Sequence, residues 1–301
     1  MPSHRFSDLS RRGPYNLVMC PQCLGEVDFR TRVQSAAAAG FRGISYRTTD
    51  YLQDRAAGFS DAEMQAMLTE HDVEMTAIGL ADGWSTGLDG LRDAEAFRHM
   101  ANIFRPCTVN AALLDPVADF DLAITGFRQL CQMARDLCDA DCALEFLLFG
   151  GISGLEDALR IVCGAAAANG GLIIDLWQMH RTGVTPADLD AVPGRLVKTV
   201  QISDARADKF DSVREESRSG RCLPGDGEAD LLGYLASIRA MGADPFFEVE
   251  VLSADLRAQG PLAAAQAMVS GSARLIEEAG ISAGWPSWRR HESRTVETSL
   301  C

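Results

Sequence analysis

The stretch "GLIIDLWQMHRTG", residues 171–183, decides the fold because it leads from an apolar strand to a charged end. Its first residues, Gly171 to Ile174, are apolar on both faces, which is typical of a strand in a parallel sheet covered by helices. The run then reaches the carboxylate of Asp175. A buried carboxylate without a partner costs several kcal/mol. Either a cation or hydrogen-bond donors must therefore meet Asp175, or the strand assignment fails.

Seven other short apolar runs alternate with stretches of helical spacing along the chain. Strand and helix follow each other without a break in pattern or a flexible linker, which indicates one domain. The predicted strands are 15–20, 42–47, 73–80, 108–114, 142–148, 171–177, 197–204 and 246–253. The predicted helices are 27–39, 60–71, 91–103, 118–138, 154–168, 186–192, 230–241 and 262–279.

Eight such units in roughly 250 residues match the size of a (β/α)₈ barrel, whose active sites lie at the carboxyl ends of the strands. An open doubly wound sheet would usually show a glycine-rich phosphate loop after its first strand, and "CPQCLGEVD" (20–28) is not one. The sequence therefore predicts an α/β protein with a single TIM barrel over 15–280. Residues 1–14 are expected to form an N-terminal extension and 281–301 a C-terminal tail.

Composition narrows the function and the expected compartment. A net charge of −14 would repel phosphate backbones, so nucleic acid is not an expected partner. No uninterrupted apolar run reaches the ~18 residues of a membrane span, and no secretory signal opens the chain. The nine cysteines are an odd number scattered through apparent strands and helices, which favours buried thiols over disulfides. We expect a cytoplasmic protein.

Four neighbouring strands each bring one oxygen-bearing side chain to an apolar setting: Glu145, Asp175, Gln201 and Glu250. Glu248 is a rival for Glu250 because it shares the same strand face, but Glu250 lies nearer the catalytic end. Any one of these acids alone would more often be a structural carboxylate. Three crowded carboxylates repel each other unless a cation lies between them. Hard oxygen ligands suit Mn²⁺ or Mg²⁺, with Zn²⁺ and Co²⁺ as alternatives.

Five segments of the second half of the chain share a recognisable pattern: "ALEFLLFGGISGLEDALRIV", "NGGLIIDLWQMHRTG", "VKTVQISDA", "RCLPGDGEADLLGYLASI" and "FFEVEVLS". They resemble the xylose isomerase-like barrel family, which includes sugar isomerases, ketose 3-epimerases, hydroxypyruvate isomerase, inosose and dehydroshikimate dehydratases, and endonuclease IV. The resemblance is clearest over 142–253. It implies one divalent metal held by a Glu, an Asp, a His or Gln, and a second Glu. Those roles fall on Glu145, Asp175, Gln201 and Glu250.

The substrate-binding positions are less regular. Many members have Asp-x-x-His after strand six; here that slot holds Gln178, and His180 follows two residues later. Arg221 matches a family arginine that holds substrate oxygens. It lies in the connection 205–229, which is far longer than a usual βα loop and is expected to be a lid or binding loop. Trp177 is expected to make the pocket wall apolar.

These features predict a metal-dependent isomerase or epimerase of a small polyhydroxy ketone, with Glu145 and Glu250 as proton shuttles. A lyase that uses the same site, either an inosose-type dehydratase or an enzyme that cleaves a 3-keto-glycoside, is the alternative, because loss of a β-hydroxyl can follow the same proton removal. A barrel that only binds a ligand is the third reading. Endonuclease activity would need several more histidines and a basic face, and a Schiff-base aldolase would need a lysine at the catalytic end.

Two features stay open. Cys20 and Cys23 form a lone CxxC, which is weak evidence for a metal or redox site and more often lines a pocket wall. Trp285 and Trp288 in the tail would dock on the barrel or on another subunit, which leaves a homo-oligomer open; a disordered tail is the alternative.

Overall fold

Eight parallel strands form a closed barrel in the computed structural model, which describes residues 15–281. The predicted extension 1–14 and nearly all of the predicted tail, including both of its tryptophans, lie outside the described residues. The barrel strands are β1 (Leu17–Met19), β2 (Gly43–Arg47), β3 (Glu74–Ala81), β4 (Thr108–Ala111), β5 (Asp141–Leu144), β6 (Gly170–Asp175), β7 (Val197–Ile202) and β10 (Phe246–Val249). A short antiparallel pair joins β8 (Asp204–Ala205) to β9 (Arg221–Cys222).

The helices surround this barrel, and the predicted single (β/α)₈ architecture is confirmed. They are α1 (Phe29–Ala39), α2 (Thr48–Ala56), α3 (Asp61–Glu70), α4 (Ala94–Phe104), α5 (Phe120–Cys138), α6 (Leu155–Ala165), α7 (Leu176–Thr182), α8 (Val213–Ser219), α9 (Leu231–Ala240), α10 (Ala254–Arg257) and α11 (Pro261–Glu278). Each long helix packs an apolar face against the barrel. The buried residues of these faces include Val33, Phe97, Phe127 and Ile276.

All eight predicted strands are present, but most of them are shorter than expected, and two of the early ends concern site residues. The run 142–148 ends as a strand at Leu144, so Glu145 follows β5 and does not lie inside it. The run 171–177 ends at Asp175, and Trp177 belongs to α7. Apolar content continues past both strand ends because the first residues after each strand are also buried. Apolar content alone therefore does not locate a strand end.

The remaining differences concern short elements. The helices α2, α7, α8 and α10 were not predicted, because a helix of one or two turns has too few residues to show a 3.6-residue period. The predicted helix 186–192 is a 3-10 helix, Pro186–Ala191.

The strands that carry the predicted ligands are neighbours in the barrel. Around it, β5 pairs with β6, β6 with β7, and β7 with β10. In this register Asp175 pairs with Gln201, and Gln201 pairs with Glu248. Three polar side chains therefore leave three adjacent strands at one level, and Glu250 follows two residues later at the carboxyl end of β10.

The long connection after β7 is ordered by one carboxylate. Asp204, buried at the start of β8, accepts hydrogen bonds from the backbone N–H groups of Gly225 (2.9 Å), Gly227 (3.1 Å) and Ala229 (3.1 Å). Gly227 must be a glycine there, since a Cβ would lie 2.4 Å from the carbonyl oxygen of Ala205. These bonds fix the base of the segment that contains α8 and β9.

Within residues 15–281, no helix combines the length and the apolar character that crossing a membrane requires. Seven described cysteines form no disulfide, whereas Cys163 is disulfide-bonded and departs from the expected buried thiols. The seven are Cys20, Cys23, Cys107, Cys131, Cys138, Cys142 and Cys222.

Candidate active site and metal centre

Asp175 ends β6 and also caps α7. Its Oδ1 accepts hydrogen bonds from the backbone N–H groups of Trp177 (2.9 Å) and Gln178 (3.4 Å). A carboxylate at a helix N-cap satisfies free backbone donors and interacts favourably with the positive end of the helix. One of its oxygens is thus occupied by the helix, while Oδ2 faces the buried guanidinium of Arg221 at 2.9 Å.

Asp175 forms a group with Glu145 and Glu250 at the carboxyl end of the barrel. One carboxylate oxygen from each residue lies within 4.8 Å of the other two, and all three residues are buried. Burial, followed by the charges of Glu250 and Asp175, raises the pKa of Glu145 well above its usual value. Burial likewise raises the pKa of Glu250 to about 8 despite the opposing effect of Arg221. Burial in this group therefore disfavours the charged forms of Glu145 and Glu250.

Arg221 is the buried cation of this group. Its Nη1 lies 2.9 Å from Asp175 and 3.1 Å from Glu250, and its Nε donates to the carbonyl of Ser217 at 3.0 Å. The guanidinium carbon also lies 4.9 Å from the centroid of the Trp177 ring, within the range of a cation–π contact. One guanidinium leaves two of the three carboxylate charges without a counter-charge.

Glu145 differs from its two neighbours. Asp175 has Arg221 and a helix N-terminus, and Glu250 has Arg221 and the thiol of Cys20. The carboxylate of Glu145 makes no hydrogen bond or ion pair with any other residue in the described part of the chain. It is therefore the least engaged of the three acids.

Gln201 lies directly below them on β7. Its Nε2 donates to Glu248 Oε2 at 3.0 Å, whereas its Oε1 is buried and has no hydrogen-bond partner among the described residues. A buried carbonyl oxygen without a donor is costly. Glu248 itself also accepts hydrogen bonds from Ser45 Oγ and, at 3.3 Å, from Asn110 Nδ2.

This donor set fits a divalent cation. Two positive charges added to Arg221 would balance the three acids, and the same ion would give Gln201 Oε1 a partner. All the available donors are oxygens, which suit hard cations such as Mn²⁺ and Mg²⁺. The residues that could hold the ion are Glu145, Asp175, Gln201 and Glu250. The group of converging acids contains Glu250 and not Glu248.

A cavity of about 340 Å³ opens above the acids. Its floor includes Glu145, Gln201, Glu248 and Glu250, and its mouth includes several arginines from different loops. Arg47 is held by two hydrogen bonds to Asp50, of 2.8 and 2.6 Å. Arg218, on α8, is exposed and pairs with no other described residue. Phe149 and Leu147 give the cavity an apolar wall.

Three residues expected to bind substrate do not line this cavity. Trp177 is fully buried beneath Arg221, and Gln178 Oε1 accepts a hydrogen bond from the backbone N–H of Leu148 at 3.1 Å. His180 pairs with Glu228 at 3.3 Å outside the cavity. The reason is that α7 begins directly after Asp175, so its turns carry these side chains away from the metal ligands. Arg221 lines the cavity, and its role in substrate binding stays a prediction.

The two cysteines of the CxxC separate in the structure. Cys20 lines the cavity and its Sγ lies 3.1 Å from Glu250 Oε1, whereas Cys23 donates to the carbonyl of Val249 and lies outside the lining. Both are free thiols. The residues that the sequence did not single out are Ser45, Asn110 and Arg218; nothing local marks them, since each comes from a different part of the chain.

Sequence comparison finds a relative among curated enzymes. Over 145 residues the chain is 37% identical to a curated 3-dehydroshikimate dehydratase of Pseudomonas aeruginosa. That match takes in 48% of this chain and 23% of the relative, so the chain corresponds to a minor part of that protein.

Solved structures show the fold. A xylose isomerase-like TIM barrel/4-hydroxyphenylpyruvate dioxygenase fusion protein superposes with a TM-score of 0.78 and 22% identity, over 88% of this chain and 43% of that one. The IolI protein, described with a bound zinc atom, gives a TM-score of 0.73 and 16% identity over 88% of this chain and 99% of that one.

The family model for the xylose isomerase-like TIM barrel matches residues 33–270, well over half of the chain. This range includes all four predicted ligands and most of the residues that line the cavity. The chain belongs to the xylose isomerase-like TIM barrel family.

Proposed function

We propose that this chain is a divalent-metal-dependent enzyme that removes a proton next to the ketone of a small hydroxylated substrate and then expels a β-hydroxyl as water. The observation that carries the proposal is the convergence of Glu145, Asp175 and Glu250 within 4.8 Å, with the unpartnered oxygen of Gln201 beneath them. The bound cation would hold the substrate's oxygens and stabilise the negative charge that develops when the proton leaves.

Glu145 is the proton acceptor in this proposal. Its carboxylate is buried, faces the cavity and has no other partner, so it is free to take up a proton from a bound substrate. Arg221 contacts Asp175 and Glu250 beside it and adds a positive charge to the cavity wall. The walls formed by Leu147 and Phe149 limit the access of water.

We favour dehydration over epimerisation because Glu145 makes no side-chain hydrogen bond or ion pair with other described residues, whereas Glu250 does. Epimerisation needs two proton-transfer groups on opposite faces of one carbon, but Glu250 already binds Arg221 and Cys20. One free base and one leaving group suffice for an elimination. The dehydratase named among the relatives, 37% identical over 145 residues, supports the same order. The sequence alone favours isomerisation over dehydration.

The substrate class follows from the mouth of the cavity. Arg218 lines it without a partner among the described residues, and a free guanidinium is a suitable site for a carboxylate. We infer a cyclic hydroxy ketone that carries a carboxylate, of which 3-dehydroshikimate is the example that the relative's name supplies.

Isomerisation or epimerisation of a neutral keto-sugar is the second candidate. It is favoured by the presence of two glutamates in one ligand group, since Glu250 could return a proton to the second face once Arg221 shifts toward the substrate. Both candidate reactions begin with the same proton transfer. They differ in that dehydration releases water, whereas isomerisation and epimerisation do not.

Incubation of the Mn²⁺-loaded protein with 3-dehydroshikimate or with D-allulose in D₂O tests the proposal. Formation of an aromatic product with loss of water supports the dehydratase. Deuterium incorporation into the sugar without loss of water instead supports the second candidate. Absence of both reactions, with the metal demonstrably bound, contradicts the proposed activity on these two substrate classes.

A further inference from the structure

Glu248 is a buried carboxylate that the proposed reaction does not use. It lies on β10 at the level of Gln201, is 2% exposed, and has no positively charged partner among the described residues in contact with it. Instead it accepts three hydrogen bonds from neutral groups, namely Ser45 Oγ, Asn110 Nδ2 and Gln201 Nε2. Burying a carboxylate among neutral donors costs free energy. We therefore asked which function of the site this buried acid serves.

The role lies in the contact with Gln201. A glutamine amide can present either its oxygen or its NH₂ to a neighbour, and only the oxygen can bind a cation. Glu248 accepts all three of its side-chain hydrogen bonds, so it holds the NH₂ of Gln201 on its own side, at 3.0 Å. The amide oxygen is thereby turned to the opposite side, where it has no protein donor.

We propose that Glu248 is a positioning residue that orients the Gln201 amide oxygen toward the divalent cation and strengthens it as a ligand. This inference rests on the proposed function, because it requires the metal site. The arrangement corresponds to the carboxylates that hold metal-binding histidines from behind and raise their basicity. Here an amide takes the place of the imidazole.

Ser45 and Asn110 hold Glu248 in turn. Ser45 Oγ donates to Oε1, and Asn110 Nδ2 to Oε2, so both carboxylate oxygens are fixed before a cation binds. Because β2, β4, β7 and β10 supply these four side chains, the network ties the floor of the site to both halves of the barrel. It belongs to the barrel strands and not to the loops.

The test measures affinity for Mn²⁺ by calorimetry on the metal-stripped full chain. Glu248→Gln has nearly the same shape but offers one acceptor oxygen to three donors, and we expect it to bind Mn²⁺ about 10- to 100-fold more weakly. Glu156→Gln is the matched control: it makes the same substitution on the exposed face of α6 and should change the affinity less than threefold.

A double-mutant cycle separates positioning from general damage. Gln201→Ala removes the ligand, so adding Glu248→Gln to it should cost no further affinity if Glu248 acts through Gln201. If Glu248→Gln does not fold, Glu248→Asp, which withdraws the acceptor by one methylene, takes its place in the same cycle.

Three results overturn the inference. An unchanged affinity in the Glu248 variant removes the role of Glu248 and leaves the proposed function intact. Losses that add in the double variant assign Glu248 a separate effect on the site. Wild-type protein that binds no divalent cation overturns both the inference and the proposed function.

Discussion

Arg221 Nη1 lies 2.9 Å from Asp175 Oδ2, and both side chains are almost completely buried. The same nitrogen lies 3.1 Å from Glu250. Arg221 therefore contacts two of the acids that would bind a metal, so the guanidinium and the cation would share these acids. This sharing links the stability of the metal-free protein to the strength of its metal site.

Replacing Arg221 with Met should destabilise the metal-free protein by about 3 kcal/mol or more, because it leaves buried carboxylates without a counter-charge. Saturating Mn²⁺ should restore more stability to this variant than to the wild type. Urea unfolding with EDTA and with Mn²⁺ measures both effects. Arg206→Met removes an exposed pair with Asp255 and should have almost no effect; equal losses in the two variants would contradict the expectation.

Replacing Glu145 with Gln should lower kcat by about 10²-fold or more, because the amide cannot accept the substrate proton. The measurement is turnover of the substrate that the D₂O experiment identifies, at saturating metal, so that weaker metal binding does not limit the rate. Glu156→Gln, on the exposed face of α6, serves as the control. Unchanged turnover in the Glu145 variant would assign proton removal to another group.

The metal-free protein should lose stability as the pH rises from about 5 toward 8. The pKa of Glu250 is about 8 in the folded protein, above its usual value of 4.5, mainly because of burial. Between these values the folded state binds more protons than the unfolded state, so its stability falls with rising pH. The stabilisation is fully present below pH 4.5 and is lost as the pH passes through 8.

Urea midpoints at pH 5.5 and pH 8 in EDTA measure this dependence. Glu250→Gln should flatten it, since a glutamine does not titrate. With saturating Mn²⁺ the trend should reverse, because the ion competes with the protons on the same carboxylates. A urea midpoint that rises with pH in EDTA would contradict the raised pKa of Glu250.

Replacing Asp204 with Ala should destabilise the protein by about 3 kcal/mol, because buried backbone N–H groups lose a charged acceptor. These backbone N–H groups belong to Gly225, Gly227 and Ala229. Thermal unfolding measures the loss, and limited proteolysis should show earlier cleavage between β8 and α9. Asp226→Ala, exposed in the same turn, should change stability by less than about 0.5 kcal/mol.

Replacing Arg218 with Gln should raise KM about tenfold for a carboxylate-bearing substrate and leave KM for a neutral keto-sugar unchanged. The reason is the loss of one charge-assisted hydrogen bond at the cavity mouth. Steady-state kinetics on both substrates make the comparison. Arg195→Gln, which precedes β7 at the opposite end of the barrel, is the charge-matched control. Equal effects on both substrates would remove the carboxylate assignment.

The sequence by itself determined the architecture. Continuous apolar runs such as 171–174 must be buried on both faces, and eight of them in regular alternation with amphipathic helices have few arrangements other than a closed barrel. Polar residues placed at the ends of adjacent strands must then converge, so Glu145, Asp175 and Glu250 could be grouped from their positions alone. The structure confirms that convergence. The pattern of apolar residues along the chain predicts strands and helices, because each apolar side chain is stabilised by its own burial.

Only the tertiary structure decided which partners the buried charges have. Asp175 is met by a helix N-terminus and by Arg221 from a distant loop, and Glu248 is held by side chains from three other strands. The tertiary structure also decided that Trp177, Gln178 and His180, on α7, do not line the cavity. Such pairings depend on where separate parts of the chain meet in space. No local pattern of apolar and polar residues encodes them.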